Sequence, residues 1–444
     1  MSVNKHAVRH PKKGKKSKIR IEVFMILWLI ILLNYIDRTT LSIALPFIDK
    51  ELGIDEDMQG WILSTFFWTY LIFQVPGGWL LDKFGPRRVI GAAGALWGGT
   101  QMVIGFIHTG LGFGVSRLLL GALEAPCAPS GSKLNSSWLP SGERARGATF
   151  VDMAGAFGSA VGGIMVTAII GFFGSWRWAF YITGGITVIV AIIYYIWVRD
   201  TPEEHPRVSA EELEHIREGE VGQEGAELTA EEKAKLPRIV DYARSTSWWA
   251  FWFGRLGWAT VWWGLISWTP SYLSRARDFD LAGLGRGTFF MFMMGVVGQL
   301  VAGWLADWGR RTFNDYNKVM KALLVGSALG MAVCVAAIPF APSGMSALFL
   351  LSGAVFFTNF GGLYWAIPAW LAPKSQVGTV GSVMNMASSL GGALAPIIMG
   401  YAIKAAGGSF TGAFVFLACA AGLYMIGSAL INFNRPLAQR RLIA

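Results

Sequence analysis

Charge is scarce in this chain of 444 residues: 15% are Asp, Glu, Lys or Arg, against 53% hydrophobic. That balance excludes an ordinary soluble multi-domain protein and points to a membrane chain. Cysteine is almost absent. Cys127, Cys334 and Cys419 are odd in number and lie in apolar segments, which argues against a disulfide framework or a metal cluster and leaves packing as their role. Histidine is nearly as rare, with His108 at a span end and the other four in the tail or linker. Proton transfer in mid-membrane therefore falls to carboxylates. No G-x-x-x-x-G-K-[ST] loop occurs, which argues against ATP-driven pumping. The expectation is a non-enzyme with no catalytic residues, cofactor or metal.

What the chain has in abundance is apolar runs. A span needs roughly 20 predominantly apolar residues, because no water satisfies backbone groups in hydrocarbon. Twelve such stretches are predicted, near Val23 to Phe47, Met58 to Leu81, Val89 to Ile107, Gly112 to Trp138, Gly147 to Phe173, Trp178 to Val198, Thr246 to Leu273, Leu284 to Ala306, Val319 to Phe340, Met345 to Leu371, Val377 to Lys404 and Phe410 to Asn432. The expected fold is all-α integral membrane, with two six-helix bundles related by a pseudo-two-fold.

The net charge of +10 would suggest nucleic acid in a soluble chain. Here it sits in loops and tails, so no nucleic-acid partner is expected. Eight Lys and Arg fall in the first 20 residues, and alternate loops carry Lys83, Arg87, Arg88, Arg144, Arg146, Arg310, Arg311, Lys318, Lys321 and Lys374. By the positive-inside rule both termini face the cytoplasm, in an inner (plasma) membrane. The basic tail is also suited to anionic lipid.

Between Arg199 and Arg244 lies the only long polar stretch, with 13 acidic and 7 basic residues. It divides the chain into a basic tail (1–21), a first bundle (22–198), an acidic cytoplasmic linker (199–245), a second bundle (246–432) and a C-terminal tail (433–444). Internal repeats of this kind place the substrate site between halves near the midplane. A repeated motif supports the duplication. Gly78-Trp-Leu-Leu-Asp82-Lys83-Phe-Gly85-Pro-Arg87-Arg88 after the second span is answered by Gly303-Trp-Leu-Ala-Asp307-Trp-Gly309-Arg310-Arg311 after the eighth. The first copy fits the G-x-x-x-D-[KR]-x-G-x-[KR]-[KR] signature of the major facilitator superfamily. Its glycines permit a tight turn, its Asp can accept hydrogen bonds from helix ends or pair with arginine, and the motif reads as a conformational latch.

Three carboxylates, Asp37, Glu124 and Asp152, fall within apolar segments. An ionised group at mid-span costs roughly 2.5 to 3.5 kcal/mol on insertion scales, so each should be paired, protonated or facing water. Asn34, Asp37, Arg38 and Leu41 share one helical stripe. Arg117 and Glu124 are two turns apart on one face, an arginine and a carboxylate one above the other. Two permanent cations beside two titratable acids are the minimum chemistry for carrying an anion with protons. Two ion pairs that merely lock helices are the bland alternative. Asp152 is expected to pair with a loop arginine, Arg255 to snorkel, and the tryptophans of Trp248 to Trp268 to act in packing and at the interface.

Asn34-Tyr35-Ile-Asp37-Arg38, Gln74-Val-Pro76-Gly77-Gly78 and Arg117 with Gly121 and Glu124-Ala125-Pro126 resemble the anion:cation symporter branch of that superfamily. The resemblance covers nearly all twelve spans. It implies that Asp37 and Glu124 couple protons, that Arg38 and Arg117 tune them or receive the substrate carboxylate, and that Tyr35, Tyr70, Trp365 and Asn385 line the cavity. Gly155 and Gly362 stand where sugar-acid carriers of the branch tend to place polar side chains, which favours a less hydroxylated or aromatic acid as competitor to a sugar acid. The expected activity is proton-coupled uptake of a small organic carboxylate. An uncoupled facilitator or exchanger, and a non-transporting sensor acting through its linker, are the alternatives.

Overall fold

The computed structural model describes residues 17–140, 143–217, 236–313, 315–373 and 376–437. Most of the basic tail, the middle of the linker, Lys374 and the last seven residues lie outside them, as does the side chain of Arg310. Among the described residues the structure is helical, without strands.

The first half contains α1 (Ile19–Leu52), α2 (Glu56–Phe84), α3 (Pro86–Ile104), α4 (Gly110–Glu124) with its continuation α5 (Cys127–Trp138), α6 (Arg144–Phe173) and α7 (Arg177–Trp197). Two short linker helices follow, α8 (Ala210–Arg217) and α9 (Ile239–Ala243). The second half contains α10 (Thr246–Ala276), α11 (Leu281–Thr312), α12 (Tyr316–Ala337), α13 (Gly344–Thr358), a 3-10 stretch Asn359–Ala366, α14 (Ile367–Leu371), α15 (Val377–Ala405) and α16 (Thr411–Leu430). These elements supply all twelve expected spans. Nine spans among the described residues qualify as membrane-crossing by length and apolar composition alone. The remaining three, α2, α3 and α10, carry more glycine, tryptophan and polar residues but pack into the same bundles.

Packing partners repeat between the halves. α1 lies on α6 and α7 as α10 lies on α15 and α16, α2 lies on α4 as α11 lies on α13, and α3 lies on α7 as α12 lies on α16. Between halves the principal contacts are α2 with α15 and α6 with α11, themselves a related pair. This is the pseudo-two-fold in contact form.

Two spans are interrupted for a local reason. Pro126 has no N–H to donate and its ring opposes the preceding turn, so the fourth span breaks after Glu124 and restarts at Cys127. The tenth span loses α geometry over 359–366, at Gly361 and Gly362 just before Pro368. Both breaks fall beside the residues discussed below.

The face carrying the linker is tied by hydrogen bonds and ion pairs within the first half. The side chain of Glu212 on α8 is fully buried and accepts from Ser17 Oγ and, at 3.1 Å each, from the backbone N–H of Ile19 and Arg20. Arg20 also meets Glu143 at 3.3 Å. The motif aspartate Asp82 pairs with Lys133 on α5 at 2.8 Å rather than with an arginine. Asp200, at the start of the linker, takes the structural role: its Oδ1 accepts the Arg87 backbone N–H at 2.7 Å, while Arg87 Nε donates to the Tyr195 carbonyl at 2.8 Å. Gly85 turns the chain at φ +80°, and a Cβ there would collide with Asp200. Lys83 lies over the Trp79 and Phe84 rings, and Arg88 is exposed.

The opposite, distal face is closed across the halves. Gly60 and Gly400 let α2 and α15 touch backbone to backbone, Ser64 Oγ donates to the Ala393 carbonyl at 2.5 Å, and Trp61 Nε1 to Tyr401 Oη at 3.3 Å. Acidic residues of the first half meet basic residues of the second: Arg275 with Asp49 at 2.9 Å and Glu56 at 3.3 Å, Lys404 with Asp57 at 3.0 Å and Asp55 at 3.3 Å. Among the described residues every inter-half ion pair lies on this face.

Candidate functional site

The site begins with the close approach of α4 to α2. At Gly121 a Cβ would collide with the Phe66 carbonyl, and Thr69 Oγ1 bonds the Leu118 carbonyl at 2.7 Å. That seam places Glu124, at the proline break, against α1. Arg38 reaches across and donates to Glu124 Oε2 through Nη2 at 3.2 Å and Nε at 3.3 Å. Both side chains are buried.

The pairing differs from the vertical Arg117–Glu124 arrangement expected from helical spacing. Seven residues give the same face but not contact, because a two-turn rise exceeds the reach of a direct ion pair. Arg117 is 3% exposed, lies 4.8 Å from the Phe66 ring centroid, and meets no described carboxylate within ion-pair distance. Its Nε has no hydrogen-bond partner among the described residues, nor do Glu124 Oε1 and Asp37 Oδ1.

Asp37 is adjacent to Arg38 in sequence but turned toward α7, where Thr187 Oγ1 donates to Oδ2 at 3.2 Å. Gln101 on α3 contacts the Asp37 carbonyl at 3.4 Å. The two acids are therefore unlike: Glu124 has a guanidinium partner and Asp37 has hydroxyl and amide neighbours.

Arg38 sits in an aromatic cage. Its guanidinium carbon is 4.5 Å from the Phe66 centroid and 5.2 Å from each of Tyr35, Tyr70 and Trp263. Guanidinium over aromatic faces is attractive, more so when dry. Trp263 comes from the second half, stacks on Tyr35 at 6.2 Å and is 8% exposed, so it joins the site instead of serving only packing or the interface. Residue spacing alone singled out neither it nor Phe66; the tryptophan-dense stretch was the available signal.

Nearer the linker face lies a second polar cluster. Asp152 does not pair with a loop arginine: its Oδ2 accepts from Gln299 Nε2 on α11 at 2.6 Å, across the halves. Arg255 does not snorkel. It is 2% exposed, with Nε donating to Ser388 Oγ at 2.6 Å and Nη1 to the Gly361 carbonyl at 3.3 Å. Trp365 lies over the same guanidinium at 5.2 Å and is 43% exposed, and Asn385 is half-buried on α15.

The two glycines at positions of interest have different surroundings. A Cβ on Gly155 would stand 2.9 Å from Tyr35 Cζ, so the tyrosine ring occupies the space a larger side chain would need. A Cβ on Gly362 would stand 3.6 Å from Asp152 Oδ2 and 3.5 Å from Gln299 Nε2. Polar side chains stand beside both glycines, Tyr35 at Gly155 and Asp152 with Gln299 at Gly362.

Two similarly built helical halves, a charged core in one and polar contacts across their seam define a multi-pass membrane carrier rather than an enzyme. A model of the Major Facilitator Superfamily matches residues 27–396, and the chain belongs to that family. It is 30% identical over 429 residues to a probable sulfoacetate transporter of Cupriavidus necator, covering 94% of this chain and 95% of that protein. It is also 30% identical to a probable galactarate/D-glucarate transporter of Bacillus subtilis, over 91% of this chain and 90% of the other. In fold it is similar to a bacterial homologue of the human lysosomal transporter Spinster in an inward-facing, unoccupied conformation, with a TM-score of 0.75 at 18% identity, covering 94% and 98% of the two chains.

Proposed function

We propose that this transporter takes up a small organic carboxylate together with protons, with Arg38 and Arg117 as anion anchors and Asp37 and Glu124 as the titrating pair. The buried Arg38–Glu124 contact carries the reading. An ionised pair in a dry interior is stable only while both partners remain, and removing one charge leaves the other exposed to a large desolvation penalty. Protonation of Glu124 frees the Arg38 guanidinium, and a substrate carboxylate replaces the lost charge. Loss of the proton restores Glu124 as competitor and expels the substrate. The orphan Nε of Arg117 offers the incoming anion a further donor.

Asp37 modulates this exchange through the same helix. Tyr35, Tyr70, Trp365 and Asn385 contribute walls around the path. The relatives named for sulfoacetate and for sugar acids support a small organic acid as substrate class. The halves at 22–198 and 246–432 rock about the site, with both termini and the 199–245 linker cytoplasmic and the distal face outward. The localisation that follows is the inner membrane.

The test is uptake into proteoliposomes under an imposed pH gradient, beside counterflow without one. The expected result is uphill accumulation that disappears when the gradient is collapsed. Counterflow that proceeds equally well with no pH-dependent accumulation would replace symport by facilitated exchange.

A further inference from the structure

Arg255 is a buried charge that the proposed exchange does not use. Its guanidinium is clamped: the Trp258 ring lies 3.8 Å away, the Trp365 ring 5.2 Å, and Ser388 Oγ and the Gly361 carbonyl hold Nε and Nη1. Among the described residues no carboxylate lies within ion-pair distance and Nη2 has no hydrogen-bond acceptor. The charge of Asp152 acts on it only from beyond contact, so a deeply buried guanidinium held in a fixed orientation is left ready for an anion at close range.

The surroundings are those of a site between the halves. Asp152, the acid whose charge acts on Arg255, belongs to the first half and is engaged by Gln299 of the second. Gly361 binds the arginine through its carbonyl, and the bare Cα of Gly362 beside it faces Asp152 and Gln299. Arg255 lies eight residues along α10 from Trp263, about 12 Å of helix rise, and Trp263 touches Arg38. The two guanidiniums therefore meet α10 at different depths, so a molecule that contacts both needs an acidic group at each end.

We propose that Arg255 is a second anion anchor and that the substrate is a small dianion, a dicarboxylate or a sulfocarboxylate. One acidic group is held by Arg38 and Arg117, the other by Arg255. This rests on the organic-acid reading above and deepens it. The dianion links a cation of each half, so that both halves are engaged only when both acidic groups are present, which favours closure around the complete substrate. Trp365, partly exposed above the guanidinium, orients the second group by covering one side of it.

The experiment uses the purified full chain in lipid nanodiscs, titrated by thermal stabilisation with two matched pairs, glucarate against gluconate and sulfoacetate against acetate. The parent is expected to favour at least one dianion over its monoanionic partner by about tenfold or more, a margin typical of a charge pair formed in a desolvated site. Arg255→Gln should weaken that dianion alone and bring the ratio near one. Ser388→Ala, a smaller change that frees Nε, should lower the ratio partway and stands in if the arginine variant does not fold. No preference for either dianion in the parent, or a preference unchanged in both variants, or an equal loss for both members of a pair, overturns the second anchor while leaving the organic-acid reading intact. Failure of a broad panel of organic acids to bind the parent overturns both.

Discussion

The two halves share a packing plan and differ in what they bury. α1 and α4 carry Asp37, Arg38, Arg117 and Glu124 into the first half, whereas α13, which answers α4, has no charged residue from Gly344 to Thr358. The second half contributes Arg255 and tryptophans at the seam. Matching architecture lets the halves move against each other as similar bodies. On the proposed reading the first half binds and titrates, while Arg255 of the second engages the far end of the substrate. The largest predicted effect tests that division. Glu124→Gln imitates the protonated acid, so pH-driven accumulation should fall by about tenfold or more, which corresponds to at least ~1.4 kcal/mol of lost coupling. Counterflow should survive. Asp37→Asn should reduce accumulation through the same helix, and uphill transport at the parent's level in both variants would make the charged core structural.

Within the first half, the two arginines separate next. Arg38 has a carboxylate partner, while Arg117 has an aromatic neighbour and an unpartnered Nε. Arg117→Lys keeps the charge and loses the planar fork, so substrate affinity should weaken by about tenfold, within the range expected for charge-assisted hydrogen bonds. Stability should change little because no ion pair is broken. Calorimetric binding beside a melting curve checks both, and unaltered affinity would move the anchor elsewhere.

A smaller effect contrasts Tyr35 with the glycine facing it. Gly155→Ala drives a methyl into the Tyr35 ring and loosens the cage around Arg38. Overpacking of this kind costs about 1 to 3 kcal/mol. A lower melting temperature with weaker substrate binding is expected, and Tyr35→Leu in the Gly155→Ala background should recover part of the stability. A purely additive pair of losses would show that the ring and the glycine are not coupled.

How much of this was legible before the structure depends on the range of the interaction. Spans are local, and apolar length set them, including the twelve-helix count that the family match supports. The repeated loop motif was legible because glycine and arginine at fixed spacing leave a direct trace. Partnership was not. Arg38 and Glu124 are 86 positions apart and meet because Gly121 and the Pro126 break bring α4 to α1 and α2. Asp82 followed the motif, but the turn is held by Asp200, whose position in an acidic linker gave no reason to prefer it to its neighbours. Asp152 looked like an end-of-helix charge because α6 begins nearby. Its amide partner sits on a helix whose register against α6 depends on the fold of both halves.

The last prediction sets one end of the molecule against the other. On the distal face the first half offers Asp49, Asp55, Glu56 and Asp57, and the second answers with Arg275 and Lys404. These contacts bridge the halves, whereas none of the described ion pairs at the linker face joins one half to the other. The charge pattern thus favours a state closed at the distal end. Such pairs are partly hydrated, and exposed ones are worth only about 0.2 to 1 kcal/mol each. Arg275 bonds both Asp49 and Glu56 and also donates to Gln59 at 3.0 Å, so it is the member whose loss should be felt most. Arg275→Gln should raise the population open at that end by about 1.4- to fivefold, the ratio equivalent to that energy range. A cysteine at Ser64, behind the closed seam, reports the change through its labelling rate with an impermeant thiol reagent in a background lacking the native cysteines. The increase should shrink in high salt as the remaining pairs are screened in the parent too. An unchanged rate would assign distal closure to the backbone contacts of α2 with α15 alone, and the charges would then serve the folding or orientation of the halves instead of their motion.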